Sequence, residues 1–278
     1  MDIPVDSRTL LKTCTSTKIT ELAGGRYAHL GMTHNLEDAI HQTNVEQISL
    51  LINVDGIPLS KSSSRSLWPI QIQIFELPEK CPIIIGIWEG TSKPTDFNYF
   101  LEPFVTELQQ ILVNGIRYKT TYVHCTVRAF ICNAPARSSL LAIKGHSGYY
   151  GCSKCTQKGA SILGRVAFSN KRKKKRTDKD FTNKSYPEHH VGETILEELN
   201  VGLVTTFPVE YQHLVCLGVM RKLLRMWSQK WARKGKAVEE NWEKLNVQVL
   251  KTYSTYDQAR SQLNRAETTD LESQSDSN

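Results

Sequence analysis

An α/β fold built on a mixed sheet is predicted by three features of the chain. Gln47 to Val54 is apolar and β-branched enough for a buried strand. Ser66 to Glu76 alternates Ile70, Ile72 and Ile74 with Gln71 and Gln73, the period of two expected of a half-buried strand. Phe97 to Val113 then sets Phe97, Leu101, Phe104, Val105, Leu108, Ile111 and Leu112 on one helical stripe, ended by Asn114-Gly115.

The remaining elements follow in chain order. Residues 1–46 read as a lead-in segment, with a capped start to a short helix at Asp6-Ser7-Arg8-Thr9-Leu10-Leu11 and weak helical periodicity from Asn35 to Gln47. Gly56-Ile57-Pro58 turns the chain, and Cys81 to Trp88 reads as a third strand reached through Pro78 and Pro82. Three consecutive strands suggest an antiparallel meander. Tyr122 to Cys132 is a further apolar strand, and Ala134 to Lys144 reads as a helix. Strand, strand, strand, helix, strand, helix is the order that opens a ribonuclease-H-like fold. There, acidic residues from the first and fourth strands converge at the sheet centre, and Asp55 and Asn133 occupy those two places. The core's first part is thus assigned to residues 47–145, an inserted Cys/His and basic loop to 146–192, a helical part to 193–240 and a tail, expected to be disordered, to 241–278.

Composition bounds the setting. At 278 residues with 40% hydrophobic content the chain can bury a sizeable core. No apolar stretch approaches the roughly 20 residues of a membrane span, and Met1-Asp2-Ile3-Pro4-Val5-Asp6 has neither the basic nor the apolar region of a secretory leader. Seven cysteines, an odd number spread through a large domain, argue for a reducing, intracellular compartment. The net charge is +7, and residues 161–190 carry nine Lys/Arg against three Asp/Glu, a local balance of +6. Its centre, Lys171-Arg172-Lys173-Lys174-Lys175-Arg176, is expected to be a self-repelling, solvated loop. It fits a nuclear import signal or a phosphate-binding segment, against a solvated loop with no partner.

Two constellations carry chemistry. Asp55 stands at the end of an apolar run before Gly56, where it is either a metal-binding carboxylate or a turn-forming residue. Cys152-x-x-Cys155 can present two thiolates to one Zn²⁺, with His146, His189 or His190 completing a tetrahedral structural site that staples the insertion to the core; the alternative is two unpaired thiols in a surface loop. Farther on, Leu214, Leu217, Met220, Leu223, Leu224, Trp227 and Trp231 recur at helical spacing with Arg221, Lys222, Arg225 and Lys230 between them. Core packing is expected of the apolar side.

Four ordered blocks carry a resemblance: Asn53-Val54-Asp55-Gly56-Ile57-Pro58-Leu59-Ser60-Lys61-Ser62-Ser63 with Leu67-Trp68-Pro69-Ile70; Cys132-Asn133-Ala134-Pro135-Ala136-Arg137; Gly145-His146-Ser147-Gly148-Tyr149-Tyr150-Gly151-Cys152-Ser153-Lys154-Cys155; and Phe207-Pro208-Val209-Glu210-Tyr211-Gln212-His213-Leu214-Val215-Cys216-Leu217-Gly218-Val219. Together they resemble CACTA (En/Spm-like) DNA transposases, especially transposase-derived animal proteins, over roughly residues 5–235. The resemblance implies a DDE-type centre in which Asp55 is the first metal-binding carboxylate, Asn133 stands where the second is Asp, and Glu210 is a candidate third. Two-metal phosphoryl transfer needs carboxylates to hold its Mg²⁺ ions, so the substitution implies weakened or lost Mg²⁺ binding. The expected function is a nuclear, DNA-binding protein derived from a transposase and lacking strand-transfer activity, with no membrane association and with a homo-oligomer or a nuclear protein as further partners. Two other readings stand beside it: a working metal-dependent DDE transposase, with Asp96 or Glu210 supplying a carboxylate, and a zinc-stabilised nuclear interaction module. The tail does not resemble the family, which suggests a truncated or rearranged reading frame.

Overall fold

The computed structural model describes residues 18–41, 45–60, 63–77, 81–118, 121–162, 164–169 and 173–233, with only the backbone path from 229 onward. The helix expected at Asp6–Leu11, Lys171 and Arg172 of the basic run, and the tail from 241 lie outside these residues. The chain falls into two units, Met1–Leu214 and Val215–Asn278.

The first unit is mixed α/β, as its pattern predicts. Strands β1 (Ile19–Leu22), β2 (Gly25–His29), β3 (Gln47–Val54), β4 (Ile57–Pro58), β5 (Ser66–Ile74), β6 (Ile83–Gly90), β7 (Ile116–Tyr118) and β8 (Thr121–Phe130) form one sheet. Their order is β1-β2-β6-β5-β3-β8-β7, with the short β4 added to β5. Strands β3, β5 and β6 make the antiparallel meander, and β8 lies parallel to β3 on its other side, with Ile52 opposite Phe130. Such a parallel return requires a long crossover, and helix α2 (Phe97–Asn114) supplies it. Asp96 caps α2 by accepting from the Asn98 and Tyr99 amides, which commits its carboxylate to the helix end.

Alternation in the sequence becomes alternation in burial. Ile48, Leu50, Ile52 and Val54 of β3 are buried, and so are Ile70, Ile72 and Ile74 of β5. Phe100, Leu101, Phe104, Val105, Leu108 and Ile111 of α2 belong to the same core, the stripe expected for that helix. Phe97 meets Trp68 edge-on at 5.3 Å between ring centroids, and Phe100 meets Tyr27 at 6.0 Å.

Part of the expected lead-in belongs to the fold. Residues 19–40 contribute the β1–β2 hairpin and helix α1 (Thr33–Ile40), which buries Leu36 and Ile40. The hairpin is short and its outer strand is exposed, so it lacks the apolar run that marks a strand in sequence. Its turn relies on Ala23 and Gly24 at φ 50° and 77°. Helix α1 has no side-chain cap of its own; instead, Glu107 of α2 accepts from the Met32 and Thr33 amides at 2.8 and 2.9 Å.

After β8, helix α3 (Ala134–Leu140) is shorter than the stretch expected to Lys144. The insertion then leaves and returns at one place: Ile143 bridges His190, the Lys144 amide donates to His189 O, and the Val191 amide donates to Ala142 O. Within it lie a hairpin, β9 (Ala160–Ile162) with β10 (Arg165–Ala167), and the short helix α4 (Asp178–Thr182).

The described part of the basic run divides: Lys173, Lys174 and Lys175 are exposed, as expected of a solvated run, whereas Arg176 is buried against the fold. Cys155 bridges Lys175, the Arg176 amide donates to Lys154 O, and the Arg176 guanidinium donates to Cys152 O at 3.0 Å with the side chain 7% exposed. Charge density argued for repulsion, but backbone pairing with the Cys152–Cys155 segment holds this end of the run against the fold.

The helical segment at the second unit also differs from expectation. Gln212–Met220 is π-helical and none of its side chains is buried, with Leu214 51% and Leu217 48% exposed; α5 (Arg221–Arg233) follows, with Met226 and Trp227 exposed. A stripe spaced for 3.6 residues per turn spreads around the wider π winding, so its apolar side does not stay on one face. Among the described residues no helix is long and apolar enough to cross a membrane.

Candidate functional site

The ends of the two parallel strands build the centre. The Ile131 amide donates to Ile52 O at 2.7 Å, and Asn53 Nδ2 returns the contact to Ile131 O at 2.6 Å. These bonds carry the pairing of β3 and β8 past the sheet and bring the next residues, Asp55 and Asn133, side by side. Asn133 then opens α3: its Oδ1 accepts from the Ala136 amide at 2.8 Å, with Pro135 in the first turn. An amide N–H can only donate, so the atom facing Ala136 is oxygen and Nδ2 points the other way. It donates to Asp55 Oδ1 at 2.6 Å.

Asp55 Oδ1 also accepts from the Gly56 amide at 2.8 Å. A Cβ at Gly56 would come within 2.7 Å of the Trp68 indole, so packing excludes any side chain there. Trp68 is buried, and its indole N–H has no hydrogen-bond partner among the described residues.

Glu210 reaches the same region across a long stretch of chain. The Phe207 ring stacks on Phe130 of β8 at 4.6 Å with the planes 2° apart, and the Phe130 amide donates to Thr206 O. Arg137 of α3 donates through Nη1 to Pro208 O at 3.2 Å. These contacts set Glu210 and His213 close enough for their charges to bear on Asp55. Burial raises the Asp55 pKa; the Gly56 amide, His213 and Asn133 oppose this, the Glu210 charge adds to it, and the net shift is upward. Glu210 itself is raised by burial, but the His213 and Gln212 amides and the His213 ring outweigh this and hold it below the ordinary carboxylate range.

The donors do not fit a two-metal centre as they stand. Asn133 aims an N–H group, not an oxygen, at Asp55. Glu210 accepts from the Gln212 amide at 2.7 Å through one oxygen, and from the His213 amide and Nδ1 at 2.6 and 2.8 Å through the other. Among the described residues Asp55 Oδ2 has no such tie. Among the described residues no three His, Cys, Asp or Glu side chains group where they could hold a metal ion.

Of the residues expected to bind zinc, Cys152 and Cys155 are brought together. Their sulfurs lie 3.3 Å apart, and the Cys155 amide donates to Cys152 Sγ at 3.3 Å. His189 is buried with Nδ1 2.6 Å from Tyr150 O, and burial pulls its pKa down to about 4. His190 packs edge-on against Phe181 with its Nδ1 unpartnered among the described residues, and His146 is exposed. None of the three histidines joins the thiols in a group of three.

Several residues near the centre carried no signal in the sequence. Arg137 is depressed in pKa by burial and makes no ion pair among the described residues. Lys154 donates to Val204 O at 2.5 Å, and burial followed by the neighbouring Arg137 charge lowers its pKa. Both lie inside quoted blocks, yet single cations in a basic protein are unremarkable until the fold places them together. The sequence matches no protein-family model and no curated protein.

Proposed function

We propose that this chain is a transposase-derived, ribonuclease-H-like DNA-binding protein of CACTA type that lacks strand-transfer activity. The observation that carries the reading is the Asn133 amide seated against Asp55 where the resemblance implies a second metal-binding carboxylate. The meander with a parallel fourth strand beside the first supports it, and so does the return of Glu210 to the same region. A chain that kept both carboxylates would hold two anions at this separation, a state that needs a shared proton or a cation. Here the amide fills that need.

The test uses the full chain, supercoiled plasmid, and Mg²⁺ or Mn²⁺. The expected results are DNA retention that weakens steeply with salt, and no nicking or strand transfer. Cleavage abolished by Asp55→Ala would overturn the reading in favour of a working transposase. Asn133→Asp is expected to raise Mn²⁺ affinity by calorimetry; unchanged affinity would return Asp55 to a turn-forming role.

Cys152 and Cys155 support a structural Zn²⁺ as part of the same proposal. The amide-to-sulfur bond gives the pair the form of a metal-binding turn, and His189, whose Nδ1 is held by a carbonyl, leaves Nε2 as a donor. As arranged, the thiols account for two of the four ligands such a site needs. About one zinc per chain, lost in Cys152→Ser, is the expected elemental analysis. Nuclear accumulation through Lys171–Arg176 belongs to the proposal too, and a fluorescent fusion that stays nuclear with all six changed to Ala would remove it.

A further inference from the structure

A cleft of about 950 Å³ opens between the Cys152–Cys155 segment, the paired end of the basic run and the Val204–Val209 strip. Lys154, Lys173, Lys175 and Arg176 line it, and among the described residues no Asp or Glu does. Backbone direction explains the selection. The run is extended where Lys175 bridges Cys155, so alternate side chains point opposite ways. Lys174 turns to Asp180 at 3.3 Å and lies over the Tyr186 ring, whereas Lys173 and Lys175 face the cleft. Asp180 is therefore spent on the one lysine that points away. Gln157 holds Ser169 on the wall through 2.6 and 2.8 Å bonds, adding a polar lining without negative charge.

The cleft also has a direction. Val209, on its wall, precedes Glu210, and the Arg137 that bonds Pro208 stands one turn along α3 from Asn133. Lys173 and Lys175 are exposed and Arg176 is buried, and none of the three makes an ion pair among the described residues; Glu188 bears on Arg176 and Asp178 on Lys154 only through their charges, so the wall keeps a positive excess that an anion can share. A row of cations on one wall, with no aromatic lining among the described residues for bases to stack on, suits a chain of phosphates read without sequence preference.

We infer that this cleft binds the phosphodiester backbone of nucleic acid through Lys173, Lys175 and Arg176 and leads it past Arg137 toward Asp55 and Asn133. The inference rests on the nucleic-acid reading above and names the site and the contacted group.

Fluorescence anisotropy of the full chain with a labelled mixed-sequence DNA duplex tests it, using Lys173→Glu/Lys175→Glu, whose two side chains are exposed. The variant is expected to lose at least about tenfold in affinity and about two units of salt slope. Its thermal unfolding should match the parent, and Arg117→Glu, an exposed change on β7, should bind as the parent does. Parent-like binding by the double variant would overturn the site while leaving DNA binding intact. No DNA binding by the parent chain would overturn both this inference and the functional reading. Displacement of the duplex by poly-glutamate at equal charge would assign the cleft to acidic protein segments instead.

Discussion

Asn133 Nδ2 donates to Asp55 Oδ1 at 2.6 Å, while Asn133 Oδ1 caps α3 through the Ala136 amide. One side chain thus serves a carboxylate and a helix end at once, which only a group with both a donor and an acceptor can do. A carboxylate at 133 would keep the cap and lose the donor, leaving two anions in contact.

Asn133→Asp is therefore expected to destabilise the chain by about 2 kcal/mol at pH 7 without divalent ions. Millimolar Mn²⁺ should recover much of the loss, and so should acid, because one proton shared by the pair removes the repulsion. Urea unfolding with and without Mn²⁺ measures it. An equally stable variant in chelator would show that the contact carries no weight.

Asp55 has its pKa raised by burial above the ordinary 3.8, with Glu210 adding to the effect. The folded state then holds this proton more tightly than the unfolded chain, so stability falls as pH rises through the folded pKa and the cost is absent below 3.8. Asp55→Asn keeps an acceptor for Gly56 and Asn133 without the charge. After discounting for solvent screening, it should stabilise the chain by about 0.5 kcal/mol at neutral pH and leave stability below the unfolded pKa unchanged. Urea midpoints across that range provide the comparison.

Glu107 works in the opposite sense. Burial would raise its pKa, but hydrogen bonds from His29, Thr33 and Met32 hold it down at about 2. Its contribution is complete above 4.5 and is lost as pH falls toward 2. Glu107→Gln should cost about 2 kcal/mol at pH 7 and progressively less in acid, because the clamp on α1 is already failing there. A pH-independent difference between the two chains would contradict the assignment.

Phe207→Ala removes the ring stacked on Phe130, buried at 1% exposure. The expected loss is about 3 kcal/mol. Urea unfolding of the two chains measures it, and an equally stable variant would show that the stack does not anchor the strip that carries Glu210 and His213.

The strands and the long helix were legible from sequence because their signals are local. Gln47–Val54 reads as a strand from its own apolar run, and the period-two pattern after Ser66 and the helical stripe from Phe97 to Leu112 each repeat within a single element. Asp55 and Asn133 were legible as strand-end polar residues for the same reason. The β1–β2 hairpin escaped because an exposed edge strand needs no apolar face, and the burial of Arg176 at the end of the basic run was not legible because charge density says nothing of the backbone partner that holds Lys175 against Cys155.

What the chain determined by itself was the alternation, the stripes and the residue types at the strand ends. Only the tertiary structure decided that the Asn133 amide faces Asp55, that Glu107 caps a helix 74 residues away, and that Phe207 returns Glu210 to the same sheet end. Those relationships depend on the register between β3 and β8 and on where long connections land. Neither is written in any short stretch of sequence, because the free energy that selects them comes from groups brought together only when the whole core closes.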